Sequence, residues 1–285
     1  MEIISTISDM VAWSQRTIAA GRTIALVPTM GSFHEGHLQL MRRAAQEAET
    51  VVVSIFVNPM QFGPQEDFAS YPRDLDGDVA LLGNVRVDAL FVPAAGEMYP
   101  EGFATRIRVE RLTETLCGLQ RPGHFDGVAT VVGKLLHIVG PRVAVFGEKD
   151  LQQLVVIRRL VKDLNWGVRI IGHPIVREAD GLAMSSRNRY LAAGERQSAL
   201  SLSRALETAR QRLAGEEEDQ GLDAAALIAD LTAFIESHPG VRVEYVSLVD
   251  RHDLRAKEVV DRDTVLAMAV RVGKTRLIDN GLLIT

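Results

Sequence analysis

Short apolar runs alternate, over the first 175 residues, with stretches in which apolar side chains recur at every third or fourth position. The runs at 23–28 (TIALVP), 50–57 (TVVVSIFV), 88–92 (DALFV), 143–146 (VAVF) and 168–171 (VRII) have strand length, and the pattern predicts buried strands there. The stretches 35–48, 73–83, 127–139 and 150–163 carry helical spacing. Strands that alternate with helices in this way predict a parallel sheet covered on both faces. Ligands of such sheets bind beyond the carboxyl ends of the strands, so the loops after the strands are where chemistry is expected.

The pattern changes near 175. A polar loop at 177–188 (READGLAMSSRN) leads into a long helical stretch at 194–213, an acidic segment at 215–221 (GEEEDQG) that reads as a solvated loop, and a second helix at 223–237. Strand-like runs follow at 241–249, 264–272 and 276–284, with no helix-length segment between the last two. This predicts a small α+β unit with antiparallel strands, and two domains, 1–175 and 176–285.

Hydrophobic residues make up 47% of the 285 residues and charged residues 24%, which excludes a disordered or fibrous chain. A net charge of −5 argues against a nucleic-acid binder while leaving room for one local positive pocket. Cys117 is the only cysteine, so an internal disulfide and a cysteine-based zinc site are both excluded. The start, with Glu2 and no basic segment ahead of an apolar stretch, does not read as a signal peptide, and the apolar runs are too short to span a membrane. A cytoplasmic protein is expected.

Two common nucleotide motifs are missing. No GxGxxG follows the first strand, and VGKT at 272–275 has Met268 where a P-loop needs glycine. The first strand runs instead into PTMGSFHEGH at 28–37. His34 and His37 are three apart and share one face of a first helical turn. Gly36 leaves space for a flat ring or a phosphate to approach the backbone. Unpaired N–H groups at the helix start favour an anion. After the second strand, FVNPMQF at 56–62 places the neutral amides Asn58 and Gln61 at the same sheet edge. RPGHFDGV at 121–128 offers Arg121 and His124 to a phosphate or a partner subunit. At 147–153, GEKDLQQ puts Lys149 and Gln153 at another strand-to-helix junction, with Asp150 suited to cap the helix. The loop DGLAMSSRNRYL at 180–191 groups Ser185, Ser186 and Arg187, a set able to close over phosphates; an ordinary helix cap by either serine is the plainer alternative.

HxGH after a first strand, with an SSR loop late in the sheet, resembles the nucleotidyltransferase superfamily, whose paired signatures are written HIGH and KMSKS. Here the second is MSSRN, with Arg187 near the usual lysine. The ordered set PTMGSFHEGH, FVNPMQF, YPR, RPGHFDGV, GEKDLQQ, DGLAMSSRNRYL and RLIDN (276–280) resembles the pantoate–β-alanine ligase family over essentially the whole chain. Phe33 stands where that family usually carries leucine.

The resemblance implies a Rossmann-like α/β domain with a smaller α+β domain. It also implies a reaction: (R)-pantoate and ATP give an acyl adenylate and pyrophosphate, and β-alanine then displaces AMP. ATP contacts are implied for Met30, Gly31, Ser32, Phe33, His34, Glu35, Gly36 and His37, for Gly147, Glu148, Lys149 and Asp150, and for Val176, Met184, Ser185, Ser186 and Arg187. His37 matches a proton donor; His34, Lys149 and Arg187 complete the implied catalytic set. Gln61 is implied to contact pantoate and then β-alanine, and Gln153 pantoate. Mg²⁺ and a homodimer through the N-terminal domain are implied too. No residue is assigned as a metal ligand, the ion being held mainly by the triphosphate.

The chemistry suits these residue types. A carboxylate must attack a negatively charged phosphate, so cations are needed there: Lys149, Arg187, Mg²⁺ and, when protonated, His34 and His37. Neutral Gln61 and Gln153 orient the acid without quenching it. A superfamily enzyme acting on a phosphate ester is disfavoured by that glutamine pair, a tRNA-charging enzyme by the net charge, and a non-catalytic nucleotide sensor by the intact set of His34, His37, Lys149 and Arg187. The polar composition of 180–188 predicts a loop that only a bound triphosphate fixes, beneath a C-terminal unit that swings as a lid.

Overall fold

The structure, a computed structural model, describes residues 1–64, 66–215 and 223–284. The chain runs β1 (Glu2–Ile4), α1 (Ile7–Ala19), β2 (Ile24–Thr29), α2 (Glu35–Glu47), β3 (Thr50–Ile55), α3 (Leu75–Leu82), β4 (Ala89–Phe91), α4 (Ala95–Met98), α5 (Leu116–Gln120), α6 (His124–Val139), β5 (Val143–Gly147), α7 (Leu151–Asp163) and β6 (Arg169–His173). Then come α8 (Ala193–Ala199), α9 (Ser201–Gly215), α10 (Ala224–Glu236), β7 (Val241–Asp250), β8 (Thr264–Val272) and β9 (Thr275–Leu282). Three single 3-10 turns, at Pro59–Gln61, Glu148–Asp150 and Ser186–Tyr190, follow β3, β5 and the 177–185 loop.

Strands β1 to β6 form one parallel sheet in the order β1-β4-β3-β2-β5-β6. The order reverses between β2 and β5, which are direct neighbours (Ala25 opposite Val143). The loops leaving those two strands therefore diverge to opposite faces and open a crevice at their carboxyl ends. Side chains alternate across the sheet as the pleat requires. Ile24, Leu26, Val52, Ala144 and Phe146 pack with α1, α6 and α7 on one face. Ala25, Val27, Val51, Val53, Val143 and Val145 pack with Leu38, Met41 and Ala44 of α2 on the other. Burial on both faces is why these strands read as unbroken apolar runs.

Strands β7, β8 and β9 form an antiparallel sheet with β8 in the middle. Its Leu266, Met268, Val270 and Val272 pack on α9 and α10, while Val265 and Ala267 join the core of the large sheet. VGKT is the tight turn between β8 and β9, with Gly273 at φ +56°.

Three features depart from the sequence pattern. Strand β1 and helix α1 carried no usable signal: β1 has three residues, and the inner face of α1 includes buried Ser14 and Thr17, which blur its apolar stripe. Helix α6 starts three residues before the expected 127, at His124, behind Gly123 at φ +80°. The helix expected at 194–213 is two helices. Ser198 to Leu202 are all buried, which a straight helix with one apolar face cannot achieve, and the chain turns at Leu200. Of the acidic segment, 216–222 lies outside the described residues. Among the described residues, no helix is long and apolar enough to cross a membrane.

Candidate active site

After β2 the chain turns sharply, with Gly31 at φ +79° and Ser32 at φ +55°. A Cβ on Gly31 would sit 2.8 Å from Oδ2 of Asp78. That carboxylate, from α3, is buried and accepts the backbone N–H groups of Ser32 (2.8 Å) and Phe33 (2.6 Å). The turn delivers His34, in extended conformation, to the N-cap of α2 and His37 to its first turn.

The two imidazole rings lie 4.2 Å apart, tilted by 40°. The backbone N–H of His34 donates to Nδ1 of His37 at 3.4 Å, which places the proton of a neutral His37 ring on Nε2. His34 Nδ1 is buried with no partner among the described residues. Burial first, then His34 and Lys149, lower the pKa of His37 to about 3. Burial first, then Lys149, lowers that of His34 to about 4. Both rings are thus neutral near pH 7, which decides a protonation state the sequence left open: a like charge on Lys149 and poor hydration both oppose protonation. In that state each ring can offer an N–H but no charge. Gly36 also makes room for a neighbour within the protein: a Cβ there would lie 2.9 Å from Nδ1 of His34.

The facing wall comes from the loop after β3. Asn58 caps the 3-10 turn by accepting the N–H of Met60 (3.2 Å). Its Nδ2 donates to Oε1 of Gln61 (3.1 Å) and to the carbonyl of Gly127 (3.0 Å), and its Oδ1 accepts from the Tyr99 hydroxyl (2.8 Å). With Oε1 engaged, Gln61 turns its Nε2 toward Met30 (3.1 Å to Sδ) and the crevice. The backbone carbonyl of Gln61 is held as well: His124 Nδ1 donates to it at 2.7 Å and Arg121 Nη2 at 3.3 Å. Arg121 also donates to His124 Nε2 (3.1 Å) and forms an ion pair with Glu66. Arg121 and His124 thus support Gln61 here, rather than standing free for a phosphate. Helix α6 approaches so closely that a Cβ on Gly127 would collide with the backbone carbonyl of Met60.

Lys149 sits in the 3-10 turn after β5, with Gln153 one turn on in α7. Asp150 is the N-cap of α7 but makes no side-chain cap bond, contrary to expectation. Ser185 does cap the 3-10 turn that follows it, accepting the N–H of Arg187 (3.3 Å). Arg187 lies over the Tyr71 ring and donates twice to Asp67, at 2.9 and 3.1 Å.

Segment 180–188 is not loose. Leu182, Ala183, Ser186 and Asn188 are buried, Arg177 bridges to Ala183 in a short hairpin, and Asn188 Nδ2 donates to Glu178 (2.6 Å) and to the Ala183 carbonyl (3.1 Å). Protein groups, not a triphosphate, fix the segment here, and Asp67 takes up the Arg187 guanidinium.

These walls enclose a cavity of about 240 Å³ at the β2/β5 crevice. It is lined by Met30, His34, Gly36, His37, Gln61, Gly147, Lys149, Asp150, Gln153, Val176, Met184, Ser185, Ser186 and Arg187. Gly31, Ser32, Phe33, Glu35 and Glu148 do not line it: Ser32 and Phe33 are committed to Asp78, and the Glu35 side chain to Arg42 and Gln39. A larger cleft of about 790 Å³ shares Lys149, Asp150 and Arg187 with it and continues along β9. The sequence reading missed the apolar wall, Val128, Val131 and Val132 of α6, because nothing in a valine-rich helix separates a cavity lining from a core. It also missed Asp78, whose place opposite Ser32 only the fold creates.

The sequence model of the Pantoate-beta-alanine ligase family matches residues 2–282. The chain belongs to the pantoate–β-alanine ligase family. Pantothenate synthetase of Heliobacterium modesticaldum is 56% identical over 280 residues, 98% of each chain. That of Syntrophobacter fumaroxidans is 54% identical over 283 residues, 99% of each chain. The crystal structure of pantothenate synthetase from Thermus thermophilus superposes with a TM-score of 0.93 at 44% identity, covering 100% of both chains. That of pantoate-beta-alanine ligase from Francisella tularensis, complexed with beta-gamma ATP and beta-alanine, gives 0.82 at 34% identity, covering 99% of this chain and 98% of that one. The chain is a ligase of that family.

Proposed function

We propose that the crevice joins (R)-pantoate to β-alanine at the expense of ATP, through a pantoyl adenylate. The observation that carries this is the mixed lining of the cavity, which gathers Lys149, Arg187 and two neutral imidazoles together with the Gln61 and Gln153 amides and the α6 valines. The cations suit a triphosphate. The amides and valines suit a small acid with hydroxyl groups and a branched apolar middle, which is what pantoate is.

In the first step a carboxylate oxygen of pantoate attacks the α-phosphorus, and the bond to the bridging oxygen of the β-phosphate breaks, releasing pyrophosphate. Lys149, Arg187 and the N–H of His37 meet the charge that builds on the phosphate oxygens. Gln61 and Gln153 hold the acid by neutral hydrogen bonds, so its nucleophilicity is kept. In the second step the unprotonated amine of β-alanine, held at Gln61, attacks the acyl carbon. The acyl–oxygen bond breaks, AMP leaves, and the ammonium proton passes to solvent.

Mg²⁺ enters this reading with the nucleotide, where it supplies charge neutralisation. Among the described residues no group of three or more His, Cys, Asp or Glu side chains gathers that could cage a metal ion; in this reading the ion would be held mainly by phosphates and water. Asp150, which makes no ion pair among the described residues, is the carboxylate on that wall that would complete its shell. Nucleotide contacts at Gly147, Val176, Met184, Ser185 and Ser186 belong to the same reading, as do 1–175 as the substrate-binding domain and 176–285 as the smaller covering domain. So do a cytoplasmic place, where ATP is found, and a homodimer through the first domain, whose surface leaves Ile3, Ile18 and Leu164 exposed.

The test is product analysis. With ATP, pantoate and β-alanine the nucleotide product is AMP, released one to one with pyrophosphate and pantothenate; without β-alanine, pantoate supports pyrophosphate–ATP exchange. ADP and phosphate as the stoichiometric products would overturn the assignment.

A further inference from the structure

The last two residues of the RLIDN segment lie near the end of β9, the edge strand of the small sheet. Asp279 is 2% exposed and Asn280 8%. Asn280 Nδ2 has two hydrogens, and both are used across the gap to the large domain: it donates to the carbonyls of Glu148 (3.0 Å) and Lys149 (2.9 Å). Neither Gly147 nor Asp150 gives that turn a side-chain cap, so the amide of Asn280 is the side-chain anchor of the Lys149 backbone among the described residues. Asp279 reaches the other cationic segment. Its carboxylate takes both terminal nitrogens of Arg177, at 2.7 and 2.9 Å, and Oδ1 also accepts the N–H of Asn280 at 2.8 Å. Arg177 in turn donates to the Gly181 carbonyl (3.1 Å) and bridges to Ala183, while Met184 N–H bonds the Val176 carbonyl (2.9 Å). That hairpin leads directly into Ser185, Ser186 and Arg187.

We propose that Asp279 and Asn280 are positioning residues for the adenylation step: side by side on β9, they fix the Lys149 turn and the Ser185–Arg187 segment in one register. The phosphate-side cations come from two loops more than thirty residues apart in sequence. A single strand that holds both sets the spacing between the Lys149 ammonium and the Arg187 guanidinium before the nucleotide arrives. Pre-set spacing of this kind is felt in the transition state, where misplacement by about 1 Å can cost on the order of a hundredfold in rate. The proposal rests on the reading that Lys149 and Arg187 face the triphosphate.

The experiment is a double-mutant cycle in the full chain, read by pantoate-dependent pyrophosphate exchange. Asn280→Ala is expected to lower kcat by about tenfold, with the KM for pantoate changed less than about twofold. In a Lys149→Ala background the same change is expected to cost less than about twofold, because Asn280 acts through Lys149. Asp279→Asn is paired in the same way with Arg187→Ala. Should Asn280→Ala not fold, Asn280→Asp keeps the size and removes the donor, and the cycle is run with it. An equal loss in both backgrounds, or full activity in the single variants, overturns the positioning role. A Lys149→Ala enzyme with wild-type exchange overturns instead the functional reading beneath it, so the two failures are told apart.

Discussion

The backbone N–H of His34 points at Nδ1 of His37, and the two rings sit 4.2 Å apart in a site that keeps both uncharged. The sign of the pH response follows. Each pKa lies below the ordinary value of 6.5, at about 4 for His34 and about 3 for His37, so above pH 6.5 folded and unfolded forms bind equally few protons there. Between pH 6.5 and about 4 the unfolded chain binds more protons, and stability falls as pH falls, by up to about 1.4 kcal/mol per pH unit for each ring. Denaturant titrations from pH 7.5 to 4.5 are expected to show this slope, and His37→Gln to reduce it. The exchange rate is expected to show no step near pH 6.5 that disappears in His37→Gln; finding such a step would mean that a protonated His37 is required.

Lys149 has two duties in this arrangement. In the proposed reaction its charge meets the phosphate, and it also depresses both imidazoles. Lys149→Ala is expected to lower the adenylation rate by roughly 10²–10³-fold, the scale for losing one preorganised donor, and His37→Ala by a similar factor. Lys149→Ala is further expected to raise both imidazole pKa values, seen by NMR titration, with the melting temperature nearly unchanged. Unmoved titration curves would put Lys149 elsewhere.

The orientation of the Gln61 amide depends on Asn58, and its backbone on His124. In His124→Asn the side-chain amide replaces the Nδ1–H donor; His124→Leu removes it. The leucine variant leaves the carbonyl only the longer Arg121 bond (3.3 Å); losing the shorter one, worth about 0.5–1.5 kcal/mol, is expected to raise the KM for pantoate several-fold. The asparagine variant is expected to recover most of that, and ATP affinity by calorimetry to stay within a few-fold in both. A large loss of ATP affinity, with pantoate unaffected, would reverse the roles.

Arg187 is not waiting for its ligand, because Asp67 already holds it in a two-pronged, partly buried pair. A nucleotide that needs the guanidinium must displace that competitor. Asp67→Asn is expected to tighten ATP binding by up to about fivefold, and Arg187→Ala to weaken it and slow adenylation. If Asp67→Asn weakens ATP instead, Asp67 orients Arg187 rather than competing for it.

What the sequence displayed and what it hid divide along physical lines. The parallel strands were visible because burial on both faces makes each an apolar run, and the glycine- and histidine-rich junctions stood out against them. Helix α1 was hidden by Ser14 and Thr17 on its inner face, and the α8/α9 break by continuous burial around Leu200. In the site, HxGH, Gln61, Lys149 and the SSR loop were legible as residue types beyond strands. Their supports were not: Asp78 under Ser32, His124 under Gln61 and Asn280 under Lys149 act across 46, 63 and 131 residues, and no local pattern records such pairings. The looseness expected at 180–188 was a reading of composition that ignored the partners the fold brings to it.

Strand β8 belongs to two interiors at once, with alternate side chains committed to each. A strand shared in this way cannot leave one interior without opening the other. The two sheets are therefore expected to melt in a single cooperative transition, and Val265→Ala and Met268→Ala, on opposite faces of β8, to lower the same melting temperature rather than split it into two.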